Sequence, residues 1–324
     1  MAAALRLHWR PFAFALPQPL ATARGLVTSR RGWLLRLEAA DGAVGWGEVA
    51  PLEPGGGGHG PCAAAMAALG ATAGRAALEG ALPSLPPPLA FGLGLALAEL
   101  EGLGASGWRP APAAAWLLPP GEGLAAALER ALATAGPAPT VKWKVAVGPD
   151  AAERRQLEWL LEHLPAGARL RLDANGGWDR PTAAAWAGRL ASEPRLEWLE
   201  QPLAAADLEG LTALAARLPV ALDESLARDP ALRRQWGGWQ VRRPVLEGAP
   251  RPLLATLAAG QPRWMVSTAF ETGIGRRLVE HAAALQAAGP TPTAPGLAPG
   301  WRPAGALFGA DPALAWAALA VGAP

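Results

Sequence analysis

Lys142 and Lys144 lie two residues apart in the strand-like run Val141-Lys142-Trp143-Lys144-Val145 and are the only lysines in the chain; the rest of the 29 Lys and Arg residues are arginine. The same stretch, Thr140 to Pro244, holds the only asparagine, Asn175, while tyrosine is absent and isoleucine occurs once, at Ile274. A composition this depleted in residues with AT-rich codons retains lysine where arginine cannot replace it. Basicity is the chemical difference. Burial and neighbouring charge can tune a lysine to release its proton near neutral pH, whereas a guanidinium stays charged and cannot act as a base. A proton-abstracting lysine is therefore expected on this strand, the alternative being two surface lysines left by chance.

Alternation along a strand puts Lys142 and Lys144 on one face and Val141, Trp143 and Val145 on the other. The next strand candidate, Arg169-Leu170-Arg171-Leu172-Asp173-Ala174-Asn175, ends with Asp173 and Asn175 on one face. Trp198-Leu199-Glu200-Gln201-Pro202 then delivers Glu200, and Val220-Ala221-Leu222-Asp223-Glu224 delivers Asp223. A lone acid at a strand end is more often a helix cap. Three in succession after a Lys-x-Lys strand point to a site, because converging carboxylates repel unless a cation sits among them. An all-oxygen set suits Mg2+ better than zinc.

These residues need a scaffold that brings successive strand ends together. From about Ala111 the chain alternates strand-like runs with amphipathic helices in units of roughly 25 to 30 residues, the pattern of a parallel (β/α) barrel whose sites lie at the C-terminal strand ends. Strand candidates are Ala168 to Ala174, Leu196 to Gln201, Val220 to Glu224, Trp239 to Arg243, Trp264 to Thr268 and Pro292 to Leu297. Asp150 and Glu153 read as a capping box ahead of a stripe of Leu157, Leu160, Leu161 and Leu164. The N-terminal part differs. Leu5 to Val49 is extended, with Gly32 to Ala39 and Ala43 to Ala50 flanking Asp41-Gly42 as a two-residue hairpin. Helices are expected at Cys62 to Leu78 and Ala90 to Leu103; Gly92 and Gly94 lie inside the second and do not form a dinucleotide fingerprint. Gly55 to Gly58 is a loop that serves as a lid or a linker and lacks the Gly-Lys-Ser/Thr of a phosphate loop. Asp311-Pro312 opens a last helix that can fold back on the N-terminal part.

A chain of 324 residues with 51% hydrophobic residues holds a barrel plus a smaller domain. The net charge of +2 comes from arginines spread along the chain, which gives no basis for nucleic-acid binding. No uncharged run approaches the roughly 18 to 20 residues of a membrane span, and Arg6, Arg10 and Pro11 interrupt the apolar start. The single cysteine, Cys62, excludes an internal disulfide and fits a reducing cytoplasm.

Lys-x-Lys, Leu-Asp-Ala-Asn-Gly, Leu-Glu-Gln-Pro and Leu-Asp-Glu-Ser, in this order and spacing, resemble the muconate-lactonizing branch of the enolase superfamily. Pro19-Leu20 through Arg24-Gly25, and Gly47-Glu48-Val49-Ala50-Pro51-Leu52, are similar to that family's capping-domain loops. The resemblance implies a (β/α)7β barrel over 109–300, an α+β capping domain over 1–108, and a segment, 301–324, that packs back on the cap. It implies that Asp173, Glu200 and Asp223 bind Mg2+. Lys144 is then the base that removes the proton α to a carboxylate, with Mg2+ stabilising the enediolate. The protonated lysine next donates to a departing hydroxyl, a syn loss of water from a small cyclohexadiene carboxylate. Lys142 adds positive charge that favours proton release, and Asn175 and Glu224 orient the ligands. Relatives on this scaffold also run lactonization, racemization and epimerization, and a barrel that binds acids without catalysis is a further alternative. Where the family has a second lysine before a proline, this chain has Arg243. A guanidinium is a poor base, which disfavours the two-base racemases and leaves dehydration. Ser267, Thr268 and the amides from Gly273 to Gly275 are candidates to hold substrate carboxylates, the alternative being an ordinary helix start.

Overall fold

The computed structural model describes residues 4–22, 25–52, 58–136 and 138–319. Its N-terminal part is a four-stranded antiparallel sheet of β1 (Ala4–Thr22), β2 (Gly25–Glu38), β3 (Val44–Val49) and β4 (Thr72–Gly74), in the order β3-β2-β1-β4. The β2–β3 connection spans 39–43 rather than the expected two residues. The Asp41 carboxylate takes the Ala43 amide at 3.0 Å, Gly42 donates to the Ala39 carbonyl, and only Gly42 has a left-handed φ, +86°. A two-residue turn of type I′ would need that conformation at both central positions, and one of type II′ at Asp41.

The expected single helix from Cys62 to Leu78 is broken. Helix α1 (His59–Leu69) stops at Gly70, whose φ of +70° ends it, and the chain then adds β4 to the edge of β1 before α2 (Arg75–Ala81). Helix α3 (Pro87–Leu100) lies across the sheet on bare backbone. A Cβ on Gly45 or Gly47 of β3 would sit 1.9 and 2.0 Å from the carbonyl oxygens of Ala96 and Gly92. Gly92 in turn faces the Glu48 carbonyl. The glycines of this helix serve close packing. Gly55 to Gly57 of the proposed lid and Arg24 of the first capping loop lie outside the described residues.

The second part is a curled parallel sheet in the order β11-β10-β9-β8-β7-β6-β5. Its strands are β5 (Trp116–Leu118), β6 (Thr140–Lys144), β7 (Arg169–Asp173), β8 (Leu196–Glu200), β9 (Val220–Leu222), β10 (Trp239–Arg242) and β11 (Trp264–Val266). Between them run α4 (Leu124–Ala135), α5 (Asp150–His163), α6 (Arg180–Leu190), α7 (Leu208–Ala215), the short α8 (Glu224–Arg228) and α9 (Leu232–Gln235), and α10 (Pro250–Ala258), with α11 (Gly273–Ala287) after β11. Val141, Trp143 and Val145 face these helices in a core of fully buried side chains, with Trp143 against Trp186 of α6. Each such side chain contributes about 1.5–3 kcal/mol of burial.

Two expectations fail in this part. Residues 292–297 do not form a strand: Pro292 and Pro295 have no N–H to give, and only Gly296 bridges to Ser267. They still occupy the eighth position. Gly296 exchanges bonds with Val266 and Thr268 at 2.9 and 3.0 Å, and Pro295 accepts from Ala115, so the ring closes. Arg171, fully buried inside the barrel, braces this segment through Thr293 Oγ1 and the Ala294 carbonyl while paired with Glu197. The Asp150/Glu153 capping box is also absent. Glu153 turns back to accept the amides of Ala146, Val147 and Gly148 at 2.8–2.9 Å, which fixes the loop after β6.

Polar and aromatic contacts join the two parts beside the packing of α3 on α10. Glu48 of β3, wholly buried, accepts Thr272 N, Thr272 Oγ1 and Gly275 N at the start of α11. Burial pushes its carboxyl up to about 7 despite these bonds. Glu99 of α3, raised to about 7 by burial against the pull of Arg277, pairs with that arginine at 2.8 Å. Helix α12 (Pro312–Ala318), capped by Asp311, sets Trp316 against Trp46 and under the Arg10 guanidinium. No helix among the described residues is long and apolar enough to cross a membrane.

Because the Gly47 Cβ would collide with main chain, Gly47→Ala should lower stability by about 3 kcal/mol. Gly80→Ala, in a helix with open space around it, should raise stability by roughly 0.5–1 kcal/mol. Urea midpoints of the two variants check both signs.

Candidate active site

The ends of β6 to β10 and the face of the cap enclose a cavity of about 1280 Å³. Lys142, Lys144, Asp173, Asp223, Glu224 and Arg243 line its floor, and Pro19, Val27 and Leu52 of the cap line its roof. Strand pairing sets the floor: Lys144 is in register with Asp173, and Asp173 with Glu200. Since all three point inward, the lysines and the first two acids meet. Lys142 Nζ lies 2.7 Å from Asp173 Oδ2 and 2.6 Å from Glu200 Oε1, and Lys144 Nζ is 3.8 Å from Asp173 Oδ2. Asp223 follows β9 directly and faces Arg243, whose Nε donates to Oδ1 at 3.0 Å and whose Nη2 donates to Oδ2. Arg243 also gives Nη1 to the Thr268 carbonyl.

Burial makes these charges interdependent. It opposes the Lys142 ammonium, yet Asp173 and Glu200 hold that group charged well above the usual lysine range. It likewise opposes the Asp173 carboxylate, which Lys142 and then Lys144 keep below the ordinary range. Glu200 goes the other way: burial outweighs Lys142, with Asp173 and Asp223 adding repulsion, and its carboxyl is raised. Glu224 is pushed up to about 8 by burial, then by Asp223 and Asp173. Its Oε1 accepts from Asn175 Nδ2 at 2.9 Å, while Glu224 Oε2 and Asn175 Oδ1 are buried without a hydrogen-bond partner. The Asn175 main-chain amide donates to Asp173 Oδ1.

The donor set fits Mg2+ in kind. Four carboxylates, Asp173, Glu200, Asp223 and Glu224, face three cations, Lys142, Lys144 and Arg243, with two buried oxygens unpartnered. Such a surplus of oxygen ligands is what a hard divalent cation takes. Lys142 and Arg243 already occupy oxygens that an ion would use. Among the described residues no three acids converge at ligand distance as they stand.

The substrate-binding expectations divide. Ser267 and Thr268 reach the cavity; Ser267 Oγ donates to the Gly296 carbonyl, and Thr268 Oγ1 donates to Glu271. Gly273 does not. It is buried against the Gly309 carbonyl, and the amides at the start of α11 are taken by Glu48, so the anion at this helix start is the protein's own carboxylate. Three residues were not singled out from the sequence. Trp198 donates Nε1 to Glu200 Oε2 at 3.4 Å, and Arg171 stacks 4.1 Å from the Trp198 ring. Two-residue alternation from Asp173 and Glu200 already carried the signal that both face inward. The third, Gln201, shows its role only in the assembled barrel.

Known proteins are similar to this chain in sequence and in fold. The Enolase C-terminal domain-like family matches residues 123–235. The o-succinylbenzoate synthase of Thermosynechococcus vestitus is 36% identical over 289 residues, covering 86% of this chain and 88% of that protein. The crystal structure of o-succinylbenzoate synthase from Thermosynechococcus elongatus BP-1, complexed with Mg in the active site, superposes with a TM-score of 0.80 at 33% identity, covering 94% of this chain and 96% of the other. Muconate lactonizing enzyme from Pseudomonas fluorescens, at 22% identity and a TM-score of 0.71 over 87% of this chain and 85% of its own, shares the fold. With this likeness along nearly its whole length, and with a curled parallel sheet beside a separate antiparallel one, the chain belongs to the enolase superfamily.

Proposed function

We propose that the protein is an Mg2+-dependent o-succinylbenzoate synthase, which converts 2-succinyl-6-hydroxy-2,4-cyclohexadiene-1-carboxylate to 2-succinylbenzoate in menaquinone or phylloquinone biosynthesis. The observation that carries this reading is the placement of Lys144 beside Asp173 on the floor of the cavity, in a chain 36% identical over 86% of its length to a named o-succinylbenzoate synthase. Residues 1–108 would cap the cavity, 109–300 would form the barrel, and 301–324 would return to the cap.

Asp173, Glu200 and Asp223 would hold Mg2+, which when bound supplies Lewis-acid stabilisation to charge developing on the substrate carboxylate. Lys144 removes the proton α to that carboxylate. The C–H electron pair becomes the new ring double bond, the C–O bond breaks, and the Lys144 proton leaves with the hydroxyl as water. Lys142, held charged between Asp173 and Glu200, places a fixed positive charge beside the base. Arg243, held on Asp223 opposite, offers charge but no second base. That disfavours the reading as an N-acylamino acid racemase, which needs a base on each face of the reacting carbon.

The first test is the assay with the cyclohexadiene substrate with and without EDTA. Activity should vanish on chelation and return with Mg2+. Asp173→Ala, Glu200→Ala and Asp223→Ala should each abolish it, the first two also with a loss of stability, because each leaves the Lys142 ammonium with one carboxylate fewer. Turnover in EDTA would remove the metal from the mechanism.

Lys144→Arg should be as inactive as Lys144→Ala, since it keeps charge and loses the releasable proton. Lys142→Arg should retain more activity. The reverse order of kcat would reassign the base.

Arg243→Ala should lose on the order of 2–4 kcal/mol of transition-state stabilisation. Arg243→Lys, which keeps the charge without the two-pronged grip on Asp223, should lose less. In D2O an N-acylamino acid should exchange its α-proton on the Lys144 face alone. Exchange from both faces at a rate comparable to dehydration would favour the racemase.

A further inference from the structure

Four helices among the described residues have an aspartate at the N-cap: Asp179, Asp207, Asp223 and Asp311. Three of them cap in the ordinary way. The Asp179 carboxylate accepts from Thr182 N, Asp207 from Gly210 N, and Asp311 from Ala313 N and Leu314 N. Asp223 makes no such bond with its own helix, α8. The amide it would be expected to take, Ser225 N, donates instead to Gln201 Oε1 at 3.1 Å.

Gln201 is built for that task. Its side chain is 0% exposed, and every hydrogen-bonding site of the carboxamide is used. Oε1 accepts from Asp223 N and Ser225 N, while Nε2 donates to the Leu203 carbonyl and Ser225 Oγ at 2.9 and 2.8 Å. The two backbone donors fix which end of the amide is oxygen. Its φ of +38° is strained for a residue with a side chain, and this network holds it there. The main chain reaches both ways, Gln201 N to the Ala221 carbonyl and Gly176 N to the Gln201 carbonyl.

We infer that Gln201 is a positioning residue: by capping α8 in place of Asp223, it releases the Asp223 carboxylate to face the cavity beside Glu200. The inference rests on the reading of Asp223 as an Mg2+ ligand. Without the Gln201 oxygen, Ser225 N competes with the Arg243 fork for the Asp223 carboxylate and draws it away from the site.

The experiment is calorimetric titration of the full chain with Mg2+ alone, alongside thermal unfolding in EDTA. Gln201→Met, of similar length but without hydrogen bonds, should weaken the Mg2+ Kd by about 10- to 100-fold, the usual cost of losing support behind a metal ligand. Gln201→Glu, which keeps the acceptor for Ser225 N but sets its second oxygen against the Leu203 carbonyl, should bind more tightly than Gln201→Met. The Tm of Gln201→Met should fall further when Asp223→Ala is added, because no carboxylate is then left to cap α8. If Gln201→Met does not fold, Gln201→Asn, one methylene too short to reach Ser225 N, is read the same way. Wild-type protein that binds no Mg2+ would overturn the metal reading and this inference with it. Mg2+ binding by wild type and Gln201→Met with equal affinity, even with a lowered Tm, would overturn this inference alone and leave Gln201 a packing residue.

Discussion

The Lys142 ammonium, wedged between the carboxylates of Asp173 and Glu200 at 2.7 and 2.6 Å, is the contact on which the site depends. Buried charges persist only when paired, and removing one partner of such a group is costly because the others are left uncompensated in a low dielectric. Glu200 has no exposed surface and Asp173 almost none, so neither can turn to water. Asp223 and Arg243 repeat the arrangement one strand further on. The mouth of the barrel is thereby preorganised: its carboxylates are already dehydrated and aimed, and its cations are fixed opposite them.

Backbone strain gathers around the same floor. Ala146, Asn175 and Gln201 follow the ends of β6, β7 and β8 with φ of +61°, +44° and +38°. Such conformations cost on the order of 1–3 kcal/mol each and survive only where surrounding bonds over-determine them. Here the bonds are visible. Glu153 gathers the amides from Ala146 to Gly148, Asn175 is tied to Asp173 and Glu224, and Gln201 fills its four positions.

The cavity has a second wall, and its position depends on α11. That helix carries the Glu48 contact at its first turn and the Glu99–Arg277 pair one turn on, so the cap and the barrel hold a common element. Both acids are raised to about 7 by burial. Their contribution to stability is full below the ordinary carboxylate range and is lost as pH rises through about 7, when a second buried charge must be accommodated.

The sequence by itself determined the parts that depend on local period and residue chemistry. Alternation fixed which face of each strand carries Lys142, Lys144, Asp173, Glu200 and Asp223, and the repeat of strand and helix fixed that those faces share one barrel mouth. Composition alone singled out the strand that carries the two lysines of the chain. Tertiary structure decided everything set by a partner far along the chain. Helix propensity ran through Gly70, but pairing with β1 drew Thr72–Gly74 into the sheet. Glu153 read as a cap and became the anchor of a loop. The amides after Thr272 read as a seat for a substrate anion, yet Glu48, more than 200 residues earlier, fills it. Asp223 read as a strand-end acid, and the fold adds what local sequence does not show: the buried amide of Gln201 takes the helix amide at Ser225, while Arg243 holds the carboxylate. A hydrogen bond between distant segments leaves no periodic trace, since its two ends are brought together by the packing of other residues.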